Sequence, residues 1–222
     1  MMRALVFDFD GTILDTETAW YEAFREAYSE HGVDLTLEMY SQCIGTSLHR
    51  FNPYEYLMTE RGLPLDKDRF RESVHLRHSE LMRREEVRPG VLSYLEAAKE
   101  YGMKIGLASS STREWVDKHL RQLGIESYFE TVRTADDVRQ VKPDPELYVL
   151  ALSDLGVDGR EAIAVEDSPN GARAAISAGM HCVLAPNRIT SLLDFPATGI
   201  AHRLGTLEDL EFRRLIASSS QF

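Results

Sequence analysis

The segment at residues 3–15, RALVFDFDGTILD, limits the fold more than any other part of the chain. Ala4, Leu5, Val6 and Phe7 form a short apolar run of the kind buried on both faces in a parallel sheet. It passes directly into Asp8 and Asp10, with Phe9 between them. Alternate residues of a strand share a face, so the two carboxylates point the same way. Gly11 and Thr12 then turn the chain. Two like charges aimed at one place repel unless a cation or a shared proton lies between them. A strand that ends this way therefore calls for partners from elsewhere in the sequence.

The pattern downstream supplies the sheet. A turn at Arg88, Pro89 and Gly90 precedes a helix marked by Val91, Leu92, Leu95 and Ala98 and stopped at Gly102. KIGLA at 104–108 reads as a buried strand, and Trp115, Val116, His119, Leu120 and Leu123 mark a helix closed by Gly124. A short strand follows near 131–134. Asp144 caps a helix with Pro145 at its first position, running to Gly156. Residues 163–165 form a strand, Ser168 and Pro169 open a helix that ends at Gly179, and 181–184 is the last strand expected. Strands alternating with helices predict an α/β fold, a doubly wound parallel sheet.

Residues 16–86 interrupt this alternation. Trp20, Ala23, Phe24, Ala27 and Tyr28 follow a helical stripe with Gly32 as its stop. Further helices are predicted at 37–44, 53–61 and 66–84, broken at Gly45, Asn52-Pro53 and Gly62 to Pro64. The block is too long for a crossover and reads as a small helical domain inserted in the core, which comprises residues 1–15 and 87–222. The SSSQF terminus is expected to fray.

Composition narrows the partners. A net charge of -11 argues against nucleic acid and anionic membranes, both of which need basic patches. A small phosphorylated ligand held by a metal and one or two lysines stays compatible with it. Cys43 and Cys182, far apart and outside any CxxC pair, suit a reducing compartment. One Arg followed at once by Asp8 predicts no signal peptide, and no apolar run reaches the length of a membrane span. These features predict a cytoplasmic protein, a monomer or weak dimer.

In open parallel sheets ligands bind beyond the carboxyl ends of the strands. The residues at that rim are Asp8 and Asp10 after the first strand, Ser109 after KIGLA, Lys142 on the loop after the third strand, and Glu166 and Asp167 after 163–165. Four carboxylates there require a cation, and oxygen-only donors favour Mg2+. Lys142 can balance charge on a nucleophile and a phosphoryl group, and Ser109 can hydrogen-bond a phosphoryl oxygen. The chemistry expected is phosphoryl transfer.

These motifs resemble those of the haloacid dehalogenase-like hydrolases over nearly the whole chain. DFDGT at 8–12 matches D-x-D-G-[TV], Ser109 in LASSS the second motif, Lys142 in VKPDPELY the third, and Glu166-Asp167 in VEDSPNG the fourth. The insert lies where the helical cap of the beta-phosphoglucomutase-like subgroup sits. The resemblance implies Asp8 as nucleophile, forming an aspartyl-phosphate, and Asp10 as proton donor and then acceptor. It implies Mg2+ at Asp8, Asp10 (through its carbonyl) and Asp167, with Glu166 supporting, and Ser109 and Lys142 on the phosphoryl group. Gly11, Thr12, Trp20, Ser110 and Asn170 are weaker candidates for contacts with the substrate or for loop geometry.

Alternative readings of these residues divide. DG alone is also a hairpin signal. An EF-hand loop with Gly11 at its sixth position would put Val6 where a carboxylate is required. Lys142 alone could be a surface lysine, and Glu166-Asp167 alone helix-capping acids. His75 and His78 are spaced to face one another on a helix but have no partner in zinc-ligand spacing.

Within the resembled family, Asp10 implies phosphatases or phosphomutases. The first lysine is Lys67, too late for the Schiff-base lysine of the phosphonoacetaldehyde-hydrolase branch. Where the beta-phosphoglucomutase branch carries a His and an Arg in its cap, this chain has Trp20 and Leu48, with Arg50 out of register. The expectation is a Mg2+-dependent phosphatase of a small phosphorylated metabolite such as a sugar phosphate. A phosphomutase and a receiver-like phospho-acceptor module are the alternatives. Trp20, 44–48 and 54–56 are the expected inner face of the cap.

Overall fold

The computed structural model describes residues 1–44 and 51–219; most of the predicted 44–48 segment, with Leu48 and Arg50, lies outside them. β1 (Ala4–Phe7) sits at the centre of a six-stranded sheet with β2 (Lys104–Ala108), β3 (Thr131–Arg133), β4 (Ala162–Glu166), β5 (His181–Leu184) and β6 (Ile200–Arg203). The order is β3-β2-β1-β4-β5-β6, and every pairing is parallel. Register sets Phe7 beside both Leu107 and Val165, so the ends of β1, β2 and β4 reach one rim together.

β1 is buried along its whole length because it is covered on both faces. Leu5 and Phe7 point into one apolar cluster with helices α5 (Val91–Glu100), α6 (Arg113–Leu123) and α9 (Phe212–Ser219). Ala4 and Val6 point into another with α7 (Glu146–Leu155) and α8 (Pro169–Ser177). This two-residue alternation onto two helical layers is what makes the sheet doubly wound.

The helix starts follow their capping chemistry. Ser168 Oγ accepts from Gly171 N at 3.0 Å with Pro169 at the first helical position, and Thr112 caps α6 by accepting from Trp115 N. At α7 the boundary shifts by one residue: Pro145 is the cap, and Asp144 Oδ1 accepts from Glu146 N at 2.9 Å.

Between β1 and α5 the described residues form helices α1 (Thr16–Ser29), α2 (Leu37–Ser41), α3 (Tyr56–Thr59) and α4 (Lys67–Met82), with no strand among them. α1 and α4 pack together around a third apolar cluster containing Phe24, Ala27, Tyr28, Leu57, Phe70 and Val74. α2 and α3 are shorter than the sequence spacing predicts. Aromatic and apolar side chains in their flanking turns pack into the same cluster, so a helical pattern of burial continues where the helix does not.

One expectation is corrected. The sheet does not end at β5: β6 pairs with it, with a register shift between Cys182 and Val183. IAHR is a half-exposed edge strand and lacks the apolar run that announces a buried one. Of the SSSQF segment expected to fray, residues 220–222 lie outside the described residues; the chain is helical as far as residue 219, and Ser218 Oγ bonds Leu215 O and the His202 ring, each at 2.9 Å.

Candidate active site

The turn after β1 is wound tightly. Asp8 N donates to Val165 O at 2.9 Å, and Phe9 O accepts from the amides of Thr12, Ile13 and Leu14. Gly11 has φ +83, and a Cβ there would stand 2.1 Å from Asp167 Oδ2. Glycine is required here twice over, by conformation and by the closeness of Asp167. Asp15 then caps α1, accepting from Thr18 N at 3.1 Å, so the chain leaves for the helical insert at once.

Lys142 lies between two carboxylates. Its Nζ is 2.5 Å from Asp8 Oδ1 and 2.7 Å from Glu166 Oε1, and all three side chains are buried. Tyr148 OH donates to the same Glu166 oxygen at 2.6 Å. Burial opposes the ammonium, but Asp8 and Glu166 together outweigh it and hold the lysine above its usual range. Burial raises Glu166 itself, helped by Asp8 and countered by Lys142. Gly171, in the first turn of α8, makes room for this carboxylate: a Cβ would fall 1.9 Å from Glu166 Oε2.

Asp167 occupies the other flank. Asn187 Nδ2 donates to its Oδ2 at 3.0 Å, and Thr12 Oγ1 lies 3.5 Å from Oδ1. Burial, then Asp8, then Glu166 raise its pKa well above the carboxylate range. Ligand oxygens of Asp8, Glu166 and Asp167 fall within 4.8 Å of one another. A buried all-oxygen set in which burial raises Glu166 and Asp167 is the donor chemistry that a hard divalent cation would stabilise.

Asp10 faces a separate set of donors. Ser111 Oγ at 2.7 Å and Ser109 Oγ at 3.3 Å bond its Oδ2, and Trp115 Nε1 donates to Oδ1 at 2.9 Å. Burial raises its pKa, these hydrogen bonds lower it, and Asp8 raises it further. Ser109 is fully buried, and its hydroxyl also accepts from Ser111 N at 3.0 Å. Ser109 is thus committed to Asp10, while Ser110 and Ser111 reach the wall of the cleft.

The cleft has a volume of about 840 Å³, and Asp8, Asp10, Lys142 and Asp167 line its floor. Asn170 is on the wall with Arg173, whose guanidinium it accepts at 3.1 Å. Trp20 is on the α1 side, and Gly11 and Thr12 lie behind Asp167. Glu17, also on the wall, is raised to about 7, chiefly by burial and then by Asp10. His75 bonds the Tyr54 hydroxyl at 3.0 Å, and His78 stacks on Trp20 with ring centroids 3.6 Å apart. Neither histidine belongs to a metal-ligand group among the described residues.

Sequence reasoning missed several residues. Tyr148 stands inside the quoted VKPDPELY motif, and Ser111 inside LASSS, so their proximity was available. Asn187 and Arg88 gave no such signal. The Arg88 guanidinium donates to the carbonyls of Gly11, Ala185 (2.8 Å) and Pro186 (3.2 Å), tying the first turn to the end of β5. Trp115 falls in an apolar helical stripe by its spacing, and its indole N–H is its polar feature.

Comparison with known proteins identifies the family. The family model described as haloacid dehalogenase-like hydrolase matches residues 5–185. The candidate phosphatase YhcW of Bacillus subtilis is 47% identical over 216 residues, covering 97% of each chain. The phosphorylated carbohydrates phosphatase of Thermotoga maritima is 34% identical over 182 residues, covering 81% of this chain and 83% of its own. Among solved structures, a candidate beta-phosphoglucomutase from Thermotoga maritima superposes with a TM-score of 0.79 at 27% identity, over 97% of this chain and 99% of the other.

Proposed function

Because the chain belongs to the haloacid dehalogenase-like hydrolases, we propose that it is a Mg2+-dependent phosphatase of a small phosphorylated metabolite, a sugar phosphate or similar compound. One observation carries the reading. Asp8, the charge-balanced Lys142 and Asp167 converge with Asp10 on the floor of one cleft, at the joined carboxyl ends of β1 and β4.

Asp8 attacks phosphorus and forms an aspartyl-phosphate as the bond to the leaving oxygen breaks. Asp10 gives that oxygen its proton. The resulting Asp10 carboxylate takes a proton from water, whose oxygen bonds phosphorus as the bond from phosphorus to Asp8 breaks, freeing phosphate and the Asp8 carboxylate. Lys142 stays charged throughout and stabilises negative charge on Asp8 and on the phosphoryl oxygens. Tyr148 and Gly171 fix Glu166 behind it. Mg2+ held by Asp8, Asp167 and the Asp10 carbonyl, with Glu166 in support, would supply charge neutralisation at the phosphoryl group.

Residues 16–86 act as a cap over the core formed by 1–15 and 87–222, and closure of that cap would exclude bulk water. Trp20 and Glu17 supply its wall. Hydrolysis is preferred to isomerisation because Trp20, where the mutase branch carries histidine, is stacked against His78.

The test is phosphate release from a panel of sugar phosphates, nucleotides and phosphoglycolate, with and without Mg2+, using the wild type and Asp8→Asn. Turnover of sugar phosphates that needs Mg2+ and falls by at least about 10³-fold in the variant is expected. An Asp8→Asn protein that turns over p-nitrophenyl phosphate at the wild-type rate would sink the reading.

A further inference from the structure

The donor set of Asp10 is asymmetric. Both contacts to Oδ2 come from serine hydroxyls in the loop after β2. Oδ1 takes the indole N–H of Trp115, in the first turn of α6. Hydroxyls rotate freely, but an indole N–H points wherever its ring points. The Trp115 ring is fixed on several sides. His119 lies 4.1 Å away between centroids, and His78 from α4 stacks at 5.9 Å with an interplanar angle of 16°. His78 is itself stacked on Trp20 of α1 at 3.6 Å and 8°. A row of rings drawn from the helical insert thus ends on one oxygen of Asp10.

We infer that Trp115 is a positioning residue for the acid–base carboxylate. Its N–H holds Oδ1 and so fixes which way the Asp10 carboxyl faces when the leaving oxygen needs a proton. Ring contacts from α1 and α4 hold the indole in turn, so the orientation of Asp10 depends on the seating of the insert. The inference rests on the reading of Asp10 as proton carrier, and the experiment separates the two.

The measurement is single-turnover release of the leaving group from p-nitrophenyl phosphate, which scarcely needs a proton, and from phenyl phosphate, which does. Trp115→Phe keeps the ring and loses the N–H. It is expected to slow phenyl phosphate by about 10-fold or more and p-nitrophenyl phosphate by less than about 3-fold, a fraction of the range open to general acid catalysis, with KM for both within about 2-fold. Asp10→Asn should show the same selectivity more strongly, and Trp115→Phe added to it should cost nothing more, since a group acting only through Asp10 has nothing left to act on. Ser111→Ala, which removes the nearer of the two Oδ2 donors without touching the ring row, should show the same selectivity, and it serves as the test if Trp115→Phe is poorly folded.

Equal slowing of both substrates by Trp115→Phe and Ser111→Ala, or a further loss in the double variant, overturns the role of Trp115 while leaving Asp10 intact. If Asp10→Asn itself shows no selectivity between the two leaving groups, the assignment of Asp10 fails and this inference fails with it.

Discussion

At the amino ends of β1 and β4, Arg3 and Glu161 form an ion pair at 2.9 Å with both side chains well exposed, 49% and 36%. At the carboxyl ends of the same two strands, Lys142 joins Asp8 and Glu166 with no more than 9% of any of the three side chains exposed. The strands are in register from Ala4 opposite Ala162 to Phe7 opposite Val165, so the two pairs lie at opposite ends of one short ladder. Water screens the first pair, which is left with little to contribute. The second has been stripped of water, and each charge there survives only through the others. The same residue types therefore serve as trim at one end and as the proposed machinery at the other.

Breaking the buried end should give the largest effect. Lys142→Met keeps the volume and removes the charge, leaving Asp8 and Glu166 facing one another without compensation. We expect at least about 100-fold loss of phosphatase activity and about 3–5 kcal/mol of stability at pH 7.5. Part of that stability should return at pH 5. Burial raises Glu166 and Lys142 is what counters it, so without the lysine the folded state binds more protons than the unfolded one and stability rises as pH falls. Urea unfolding at the two pH values reads this. An equal loss at both would show that the buried charges are not what the lysine compensates.

The buried end also shows where the sequence stops being legible. DFDGT, Lys142 and Glu166-Asp167 could be placed at one rim from sequence, because strand ends in a parallel sheet must meet there and few acids could occupy such ends by chance. The partners that hold those groups were harder to place. Tyr148 reads as one more buried aromatic of an apolar helix, yet its hydroxyl sits 2.6 Å from Glu166. Asn187 reaches Asp167 from a loop whose path no local pattern dictates. β6 escaped detection for the related reason that an exposed edge strand does not need apolar residues. Patterning encodes which elements bury which face, whereas a single side-chain bond across the fold leaves no periodic trace.

Tyr148→Phe sharpens the comparison at intermediate size. It removes one donor from Glu166 while Lys142 stays, so the charge balance holds and one hydrogen bond to a carboxylate is lost. A cost of about 2 kcal/mol in unfolding free energy is expected, with activity lowered about 3- to 10-fold. A change in activity without any change in stability would show that Glu166 is not anchored by the phenol.

The smallest effect is expected at the exposed end. Arg3→Gln removes the guanidinium but leaves the backbone bonds that join the strands there, Arg3 N to Glu161 O at 2.7 Å and Lys104 N to Arg3 O at 2.9 Å. Strand pairing, and with it the placement of Asp8 four residues beyond the ladder's start, does not depend on the side chain. Activity should match the wild type, and the thermal midpoint should move by about 2 °C or less. That shift should shrink further at 0.5 M NaCl, since screening acts on charges in water and scarcely on buried ones. A salt-independent fall in midpoint as large as that of Lys142→Met would mean that this end of the ladder is not solvated in the way its exposure indicates, and the contrast between the two ends would collapse.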